Sequence, residues 1–255
     1  MDIHNTFARF FTANALHNCG HALLLAMLAP FAAAAEFLVG LPEKEIPPFS
    51  FSQGGQLAGI YRDLFDKLAP LTGDTYRYVH IPAMRIMRAF EHGQIDIEPG
   101  VNPAWRSSTV ESVYSVQFAR AADVLLIRKG VLMPTSLSQL SGATIGTVRG
   151  FVYPSLDPSF RNRQISRDES SDEFQLLLKL AANRYDYAVV NKSVADYWLH
   201  HRPAAAPWRV GLTVGEADIM LRFQPRHSSA LKRVNAGLTK LKQSGEIDVI
   251  FQKYR

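Results

Sequence analysis

The chain is short of most of what an active site or a disulfide scaffold would need. It has one cysteine in 255 residues, Cys19. No disulfide can form within it, and no cysteine-rich metal site can be built. The eight histidines are dispersed. His200-His201 is a solvated pair on a helix end rather than a metal motif. There is no HExxH, GxSxG, P-loop or GxGxxG pattern, so the common zinc-hydrolase, serine-hydrolase and nucleotide-binding signatures are absent. Nothing in the sequence asks for a cofactor or a metal. The formal net charge is only +5. Its lysines and arginines are scattered, with no basic stripe interleaved by aromatics, which excludes a nucleic-acid groove. Beyond the N-terminus no apolar run approaches the roughly 20 residues of a membrane span.

The N-terminus reads as a secretory signal peptide over residues 1–35. Arg9 supplies a thin positive region, and His21 to Pro30 is a short apolar core. Ala33-Ala34-Ala35 before Glu36 is a small-residue cleavage site. Cys19 precedes the apolar core, so a lipid anchor is not expected. The remaining chain is expected in the periplasm as a monomer.

The segment from Gly93 to Lys129 organises the rest of the chain. A strand is expected over Gln94–Glu98, a polar and aromatic loop over Gly100–Thr109, and an apolar crossing over Ala122–Ile127. Before it come a strand at Phe37–Gly40 and a turn at Pro47-Pro48, where proline cannot extend a strand. A helix is next, over Ala58–Leu71, with Ile60, Leu64, Leu68 and Leu71 on one face. Then come a strand at Tyr76–His80 and a helix over Ala83–Glu91 that buries Met87 and Phe90. Gly73 and Gly93 end the two helices.

After the crossing the pattern repeats. A helical turn is expected at Ser136–Leu140, a strand over Thr144–Val148, and a helix starting near Phe151 or Tyr153. Ser170-Ser-Asp-Glu173 reads as a capping box, with Phe174, Leu177, Leu178 and Ala181 as the buried helix face. A strand over Tyr185–Val190 and a helix over Ser193–Leu199 come after it. Val210–Val214 and Asp218–Phe223 read as return strands. Two closing helices run over Ser228–Gln243 and from Gly245 onward. Strands alternating with helices give an α/β fold with parallel sheets. Two such units joined by a crossing out and a crossing back predict lobe 1 over 36–122 and 216–255, and lobe 2 over 123–215. Ligands bind beyond strand carboxyl ends in such sheets. A cleft between the lobes that closes by hinging is the expected site.

Several motifs in order resemble the periplasmic solute-binding proteins of the polar amino-acid type, family 3. They are Pro48-Phe-Ser-Phe, Gly59-Ile-Tyr-Arg-Asp63, Gly93-Gln-Ile-Asp96, Thr109-Val-Glu111, Leu137-Ser-Gln-Leu-Ser-Gly142, Asp186-Tyr-Ala-Val-Val and the ending Gly245-Glu-Ile-Asp-Val-Ile-Phe-Gln-Lys-Tyr. The resemblance covers Glu36 to Arg255. It implies the two-lobe, type II binding-protein fold and a small-molecule solute. It also implies an ABC importer permease or a membrane sensor as partner.

The sequence departs from the family pattern at three ligand positions. Ser112 stands where the resemblance implies an arginine for a ligand carboxylate. Phe151 follows Gly150 where serine or threonine is usual. Asn191 replaces an aspartate that pairs with an ammonium. Losing both ionic clamps argues against an ordinary free α-amino acid and for a small polar or anionic solute. Replacement groups are sought in the long loop Asn102-Pro-Ala-Trp105-Arg106. Trp105 stacks on the ligand or packs on its lobe; Arg106 takes an anion or is solvated. Arg85 either points into the cleft or lies on the surface. Phe49 and Phe51 wall the cleft, with one of them in the core. Glu98 meets a cation or pairs with Arg106. Arg149, beside Gly150 and a following helix N-terminus, is a second anion candidate or a solvent-facing charge. A non-enzymatic binding protein is the expectation. Two alternatives stay open: a dehydratase-like enzyme with Glu98 as general acid, and a ligand-free signalling module.

Overall fold

The computed structural model describes residues 34–106, 110–201 and 207–255. The expected signal segment lies almost wholly outside the described residues, as do Ser107 to Thr109 of the long loop. No described helix is long and apolar enough to cross a membrane.

The first half of the fold begins with β1 (Glu36–Pro42), the small hairpin β2 (Phe51–Gln53) and β3 (Gln56–Ala58), and α1 (Ile60–Thr72). It continues with β4 (Thr75–Ile81), α2 (Ala83–Glu91), β5 (Ile97–Val101) and the short β6 (Val113–Tyr114). β1 pairs in parallel with β4 and with β5. Helix α1 starts at a glycine and stops at Gly73, whose φ of 74° is a left-handed cap. Ile60, Leu64, Phe65 and Leu68 are its buried residues, whereas Leu71 faces outward. Helix α2 buries Ile86, Ala89 and Phe90. Met87, expected inside, lies exposed, because the phase set by Ile86 and Phe90 turns position 87 away.

The second half holds β7 (Ala119–Arg128), β8 (Thr144–Val148), α3 (Asp157–Arg161), β9 (Ser166–Ser170), α4 (Glu173–Ala181), β10 (Tyr187–Asn191) and α5 (Lys192–His201). β11 (Trp208–Phe223), α6 (Leu231–Gln243) and α7 (Glu246–Gln252) complete the chain. β8 pairs in parallel with β9 and with β10. The strand order is β4-β1-β5-β11-β7-β10-β8-β9, with β6 on β11.

The return is one strand of 16 residues, not two. Gly211 and Gly215 lie within it and do not break it. The ladder to β7 instead shifts register between Val210 and Thr213 and again between Thr213 and Gly215. Irregularities of this kind absorb an extra residue without ending a strand. Among the described residues, the β7–β11 ladder is therefore the single bridge along the sheet between the halves. On it Asp123 faces Gly215 and Ala122 faces Glu216. The residues flanking both expected lobe boundaries are thus cross-strand neighbours.

Each half has its own apolar core. Phe37, Val39, Leu64, Phe65, Leu68, Ile97, Phe223, Val234 and Leu238 pack between the first half of the sheet and the helices α1, α6 and α7. Ile86, Phe90 and Ile95 fill the α2 face. Leu126, Leu176, Leu177, Leu180 and Val190 form one core of the second half, and Leu125, Ile127, Ile145, Tyr153 and Val189 the other.

Two further expectations are corrected. No helix starts at Phe151 or Tyr153; the chain turns until Asp157, where Pro158 is tolerated in a first turn. The cap of α4 is Asp172, which accepts from the Gln175 amide at 2.8 Å, not Ser170. The helix phase moves with it. Leu176, Leu177 and Leu180 are buried, while Phe174 and Leu178 are exposed.

Candidate functional site

The carboxyl ends of the parallel strands set the site. β5 runs three residues later than expected, so Glu98 sits within it rather than at its end. Glu98 is buried and lies opposite Arg222 of β11. Its carboxylate accepts from Arg106 through Nε, at 3.1 and 3.2 Å to its two oxygens, and through Nη2. Arg222 Nη1 donates to Glu98 Oε2 at 3.2 Å. Arg222 Nε donates to Ser112 Oγ at 2.9 Å. The Phe90 ring covers the guanidinium, 3.9 Å from Cζ to the ring centroid. Arg222 Nη2 is buried and has no hydrogen-bond partner among the described residues.

This network engages several of the candidate residues. Glu98 takes the ion pair with Arg106, so Arg106 is not a free anion clamp. Its Nη1 is also engaged, donating to the Trp105 carbonyl at 3.2 Å. Trp105 packs against the first core. Asn102 is a loop-builder: its Oδ1 accepts from the Ala104 amide at 2.9 Å and its Nδ2 donates to the Asp218 carbonyl at 2.8 Å. Asn191 ends β10 and accepts from the Ser193 amide at 2.9 Å, which opens α5. Arg149 is exposed and pairs with Glu169 at 3.5 Å. Phe151 is exposed, and its carbonyl accepts from Arg167 at 2.7 Å. Gly150 has φ of 80°, and a Cβ there would come 3.1 Å from Met84 Sδ at the start of α2. Arg85 is exposed on that same helix turn.

The two phenylalanines differ in burial. Phe51 is buried with Ile60, Ile250 and Tyr254. Phe49 is half-buried and lies against the Tyr61 ring, centroids 5.4 Å apart. It also packs, with Ile46, on the Leu176–Val190 core of the second half. Lys44 reaches across to Asp172 at 2.7 Å. Among the described residues, the halves therefore meet on this side through apolar contact and one ion pair.

Three groups that the sequence does not mark as ligand candidates border this region. Glu173 is 7% exposed at the start of α4. Its carboxyl is pushed up to about 7, chiefly by burial, with the charges of Asp172 and Asp123 adding. Asp123, on the bridge between the halves and opposite Asn191, is pushed up to about 6 by burial. The Tyr61 hydroxyl is raised above its ordinary range by burial and by the charges of Glu98 and Glu173, from both halves of the fold. Nearby cations are engaged elsewhere: Lys44 on Asp172, and Arg167 on Thr147 Oγ1 at 2.9 Å and the Phe151 carbonyl. The one sequence signal for Asp123 is a lone charge opening the apolar run Val124–Ile127. Glu173 is disguised as a capping residue.

Chemically, the site has two poles. One is the Arg106–Glu98–Arg222 cluster, with two cations to one anion. The other is a pair of carboxylates, Glu173 buried and Asp123 half-buried. Aromatic rings of Phe49 and Tyr61 stand beside them.

The two-lobe α/β architecture is that of the extracellular solute-binding proteins. The chain belongs to the bacterial extracellular solute-binding proteins, family 3, whose model matches residues 39–255. Among solved structures it is similar to an ancestral arginine-binding protein bound to glutamine, with TM-score 0.72 and 21% identity over 86% of this chain and 97% of that one. It is also similar to an arginine 3rd transport system periplasmic binding protein from Legionella pneumophila, with TM-score 0.72 and 16% identity, covering 87% of this chain and 100% of that one. A third is an ancestral amino acid-binding protein described as a precursor of cyclohexadienyl dehydratase, with TM-score 0.71 and 19% identity, covering 86% and 95%. No curated protein sequence matches the chain.

Proposed function

We propose that this protein is a periplasmic solute-binding protein. It captures a small polar solute between two lobes, 36–122 with 216–255 and 123–215, and hands it to an ABC transporter. The observation that carries this reading is the convergence on Tyr61. Its ring lies against Phe49, which packs on the second half's Leu176–Val190 core, Gly100 of β5 lies against its hydroxyl, and the charges of Glu98 and Glu173 help burial to raise its pKa. Charged groups of both halves thus border one aromatic position at the strand carboxyl ends, where open α/β sheets take ligands. Asp123 and Gly215, facing each other on the sheet ladder that joins the halves, are the natural hinge pair.

The charges refine the solute. With Arg106 spent on Glu98, a purely anionic solute has less support than the loop sequence alone gives it. Buried Glu173 and half-buried Asp123, both with raised carboxyl pKa values, favour a solute that carries a cationic group, because an ammonium offsets the desolvation of their charged forms. A binding role rather than catalysis is supported by Glu98. Both of its oxygens already accept from guanidinium groups, which leaves it poorly placed as a general acid.

The test is mass spectrometry of the solute that co-purifies with the protein, followed by a thermal-shift panel of amino acids, amines and carboxylic acids. A bound small molecule that raises the melting temperature and is recovered unchanged supports the reading. Stoichiometric conversion of the solute, or no stabilisation by any compound of the panel, contradicts it.

A further inference from the structure

We propose that the first half carries a second binding site, separate from the meeting of the halves, which takes a small organic cation of the alkylammonium class.

The site is a cavity of about 240 Å³ beside the β2–β3 hairpin, bordered by Glu43, Glu45, Ser50, Phe51, Leu57 and His80. Phe49, Tyr61, Glu98, Asp123 and Glu173 do not line it. Local structure brings the lining residues together. The Glu43 amide donates to the Ile81 carbonyl at 2.9 Å, so the chain leaves β1 still alongside the end of β4, where His80 faces Leu41. Ile46 and Ser50 then close a tight loop, each amide donating to the other's carbonyl, at 2.7 and 3.1 Å. The hairpin turns back at Gly54-Gly55 and lays Leu57 on the first core.

The charge of the cavity is one-sided. Two carboxylates line it, and no lysine or arginine does. Lys44, between them in sequence, is committed to Asp172 at 2.7 Å. Glu45 Oε1 accepts from the Ser52 amide at 2.9 Å, which leaves Oε2 open. The Glu43 carboxylate and the His80 ring have no partner among the described residues. Exposed carboxylates alone are ordinary. Ser50 is the observation that points to a ligand. It is 2% exposed and lines the cavity, and its hydroxyl has no hydrogen-bond partner among the described residues. Buried polar groups are normally paired, so this one calls for a partner from the cavity.

A primary ammonium fits the set. It brings three N–H donors. The cavity offers three open acceptors, at Ser50 Oγ, Glu45 Oε2 and the Glu43 carboxylate. Phe51 and Leu57 give an alkyl stem an apolar wall. The volume lies below the roughly 300 Å³ at which pockets for drug-sized ligands begin, so the amine is a short one. No three acidic or imidazole side chains among the described residues are grouped to hold a metal ion, so a cation with some extent suits the cavity better than a bare ion.

The experiment follows the amides of isotope-labelled protein by NMR during titration with n-butylammonium chloride. Sodium chloride and sodium butyrate at equal ionic strength are the controls. The proteins are the wild type, Ser50→Ala and the double variant Glu43→Gln with Glu45→Gln, in which residue 45 keeps an acceptor for the Ser52 amide. The expected result is saturable shifts of the Ser52, Gly55 and Gln56 amides with n-butylammonium alone. Affinity should fall roughly tenfold in the double variant and about threefold in Ser50→Ala. Shifts that sodium chloride reproduces, or an affinity unchanged in either variant, overturn the proposal. Shifts confined to the amides around Asn191 and Glu173 also overturn it, and leave the solute-binding reading standing. Should the double variant fail to fold, Ser50→Ala, which removes only a hydroxyl, decides: weakened binding supports the site and unchanged binding overturns it.

Discussion

Ser112 and Arg222, 110 positions apart, are joined by a 2.9 Å hydrogen bond from Nε to Oγ. That bond ties the loop after Trp105 to the return strand and places a guanidinium beside a serine. Its neighbour Glu98 is the only carboxylate on either arginine of the cluster among the described residues.

Removing that carboxylate should be costly. Glu98→Ala leaves Arg222 buried with its charge uncompensated, so a loss of about 3–5 kcal/mol is expected. Arg106→Ala removes the more exposed partner and should cost less, on the order of 1 kcal/mol or somewhat more. Urea denaturation of the two variants checks the order. Equal losses would mean that Arg222 finds another anion when Glu98 is gone.

Stability should depend on pH through Asp123 and Glu173. Burial holds their folded pKa values at about 6 and about 7, above the ordinary carboxylate range. Between roughly pH 4 and 7 the folded state then binds more protons than the unfolded one, so stability falls as pH rises through that window. Glu173→Gln should remove part of this slope and stabilise the ligand-free protein at pH 8 by about 1–3 kcal/mol. Melting temperatures of the ligand-free protein from pH 4 to 8 check it. A flat profile for the wild type contradicts the raised carboxyl pair. A cationic solute should bind more tightly above pH 7, where both groups are ionised.

Gly100 is a tight position for two reasons. Its φ is 72°, and a Cβ would fall on the Tyr61 hydroxyl. Gly100→Ala should destabilise by about 1–3 kcal/mol from strain and overlap together. Adding Tyr61→Phe should recover the overlap part but not the backbone part. Chemical denaturation of the single and double variants separates the two. Full recovery would mean that the backbone carries no strain there.

Much of the fold was legible because its signals are local. Ile60, Leu64 and Leu68 recur at helical spacing, and Gly73 sits where only a left-handed cap fits. The site was less legible. Phe174-Gln-Leu-Leu-Leu-Lys-Leu is apolar at so many positions that its buried face depends on where the helix starts. Moving the cap from Ser170 to Asp172 exposes Phe174 and Leu178 and buries Leu176 and Leu180. The Glu98–Arg222 pair spans 124 positions and exists only because of strand register, which no local pattern encodes. Arg106 stands out in sequence as a member of the site region, but its partner could be named only as an alternative.

Phe49 links the halves more directly than any charged group. It packs on Tyr61 and on the Leu176–Val190 core at once. Phe49→Ala should weaken solute binding at least tenfold by loosening closure, with a smaller effect on the stability of the solute-free protein. Lys44→Ala should have little effect on either, since Lys44 is largely exposed. Calorimetric titration of both variants with the identified solute makes the comparison. A larger effect at Lys44 would show that the ion pair, not the ring, fastens the halves.

The most direct measurement is small-angle scattering of the purified protein with and without the solute that co-purifies with it. A one-to-one complex with a reduced radius of gyration, and the solute recovered intact, is the predicted outcome. An unchanged radius at saturating solute, or a chemically altered solute, would contradict capture by closure about the Asp123–Gly215 hinge.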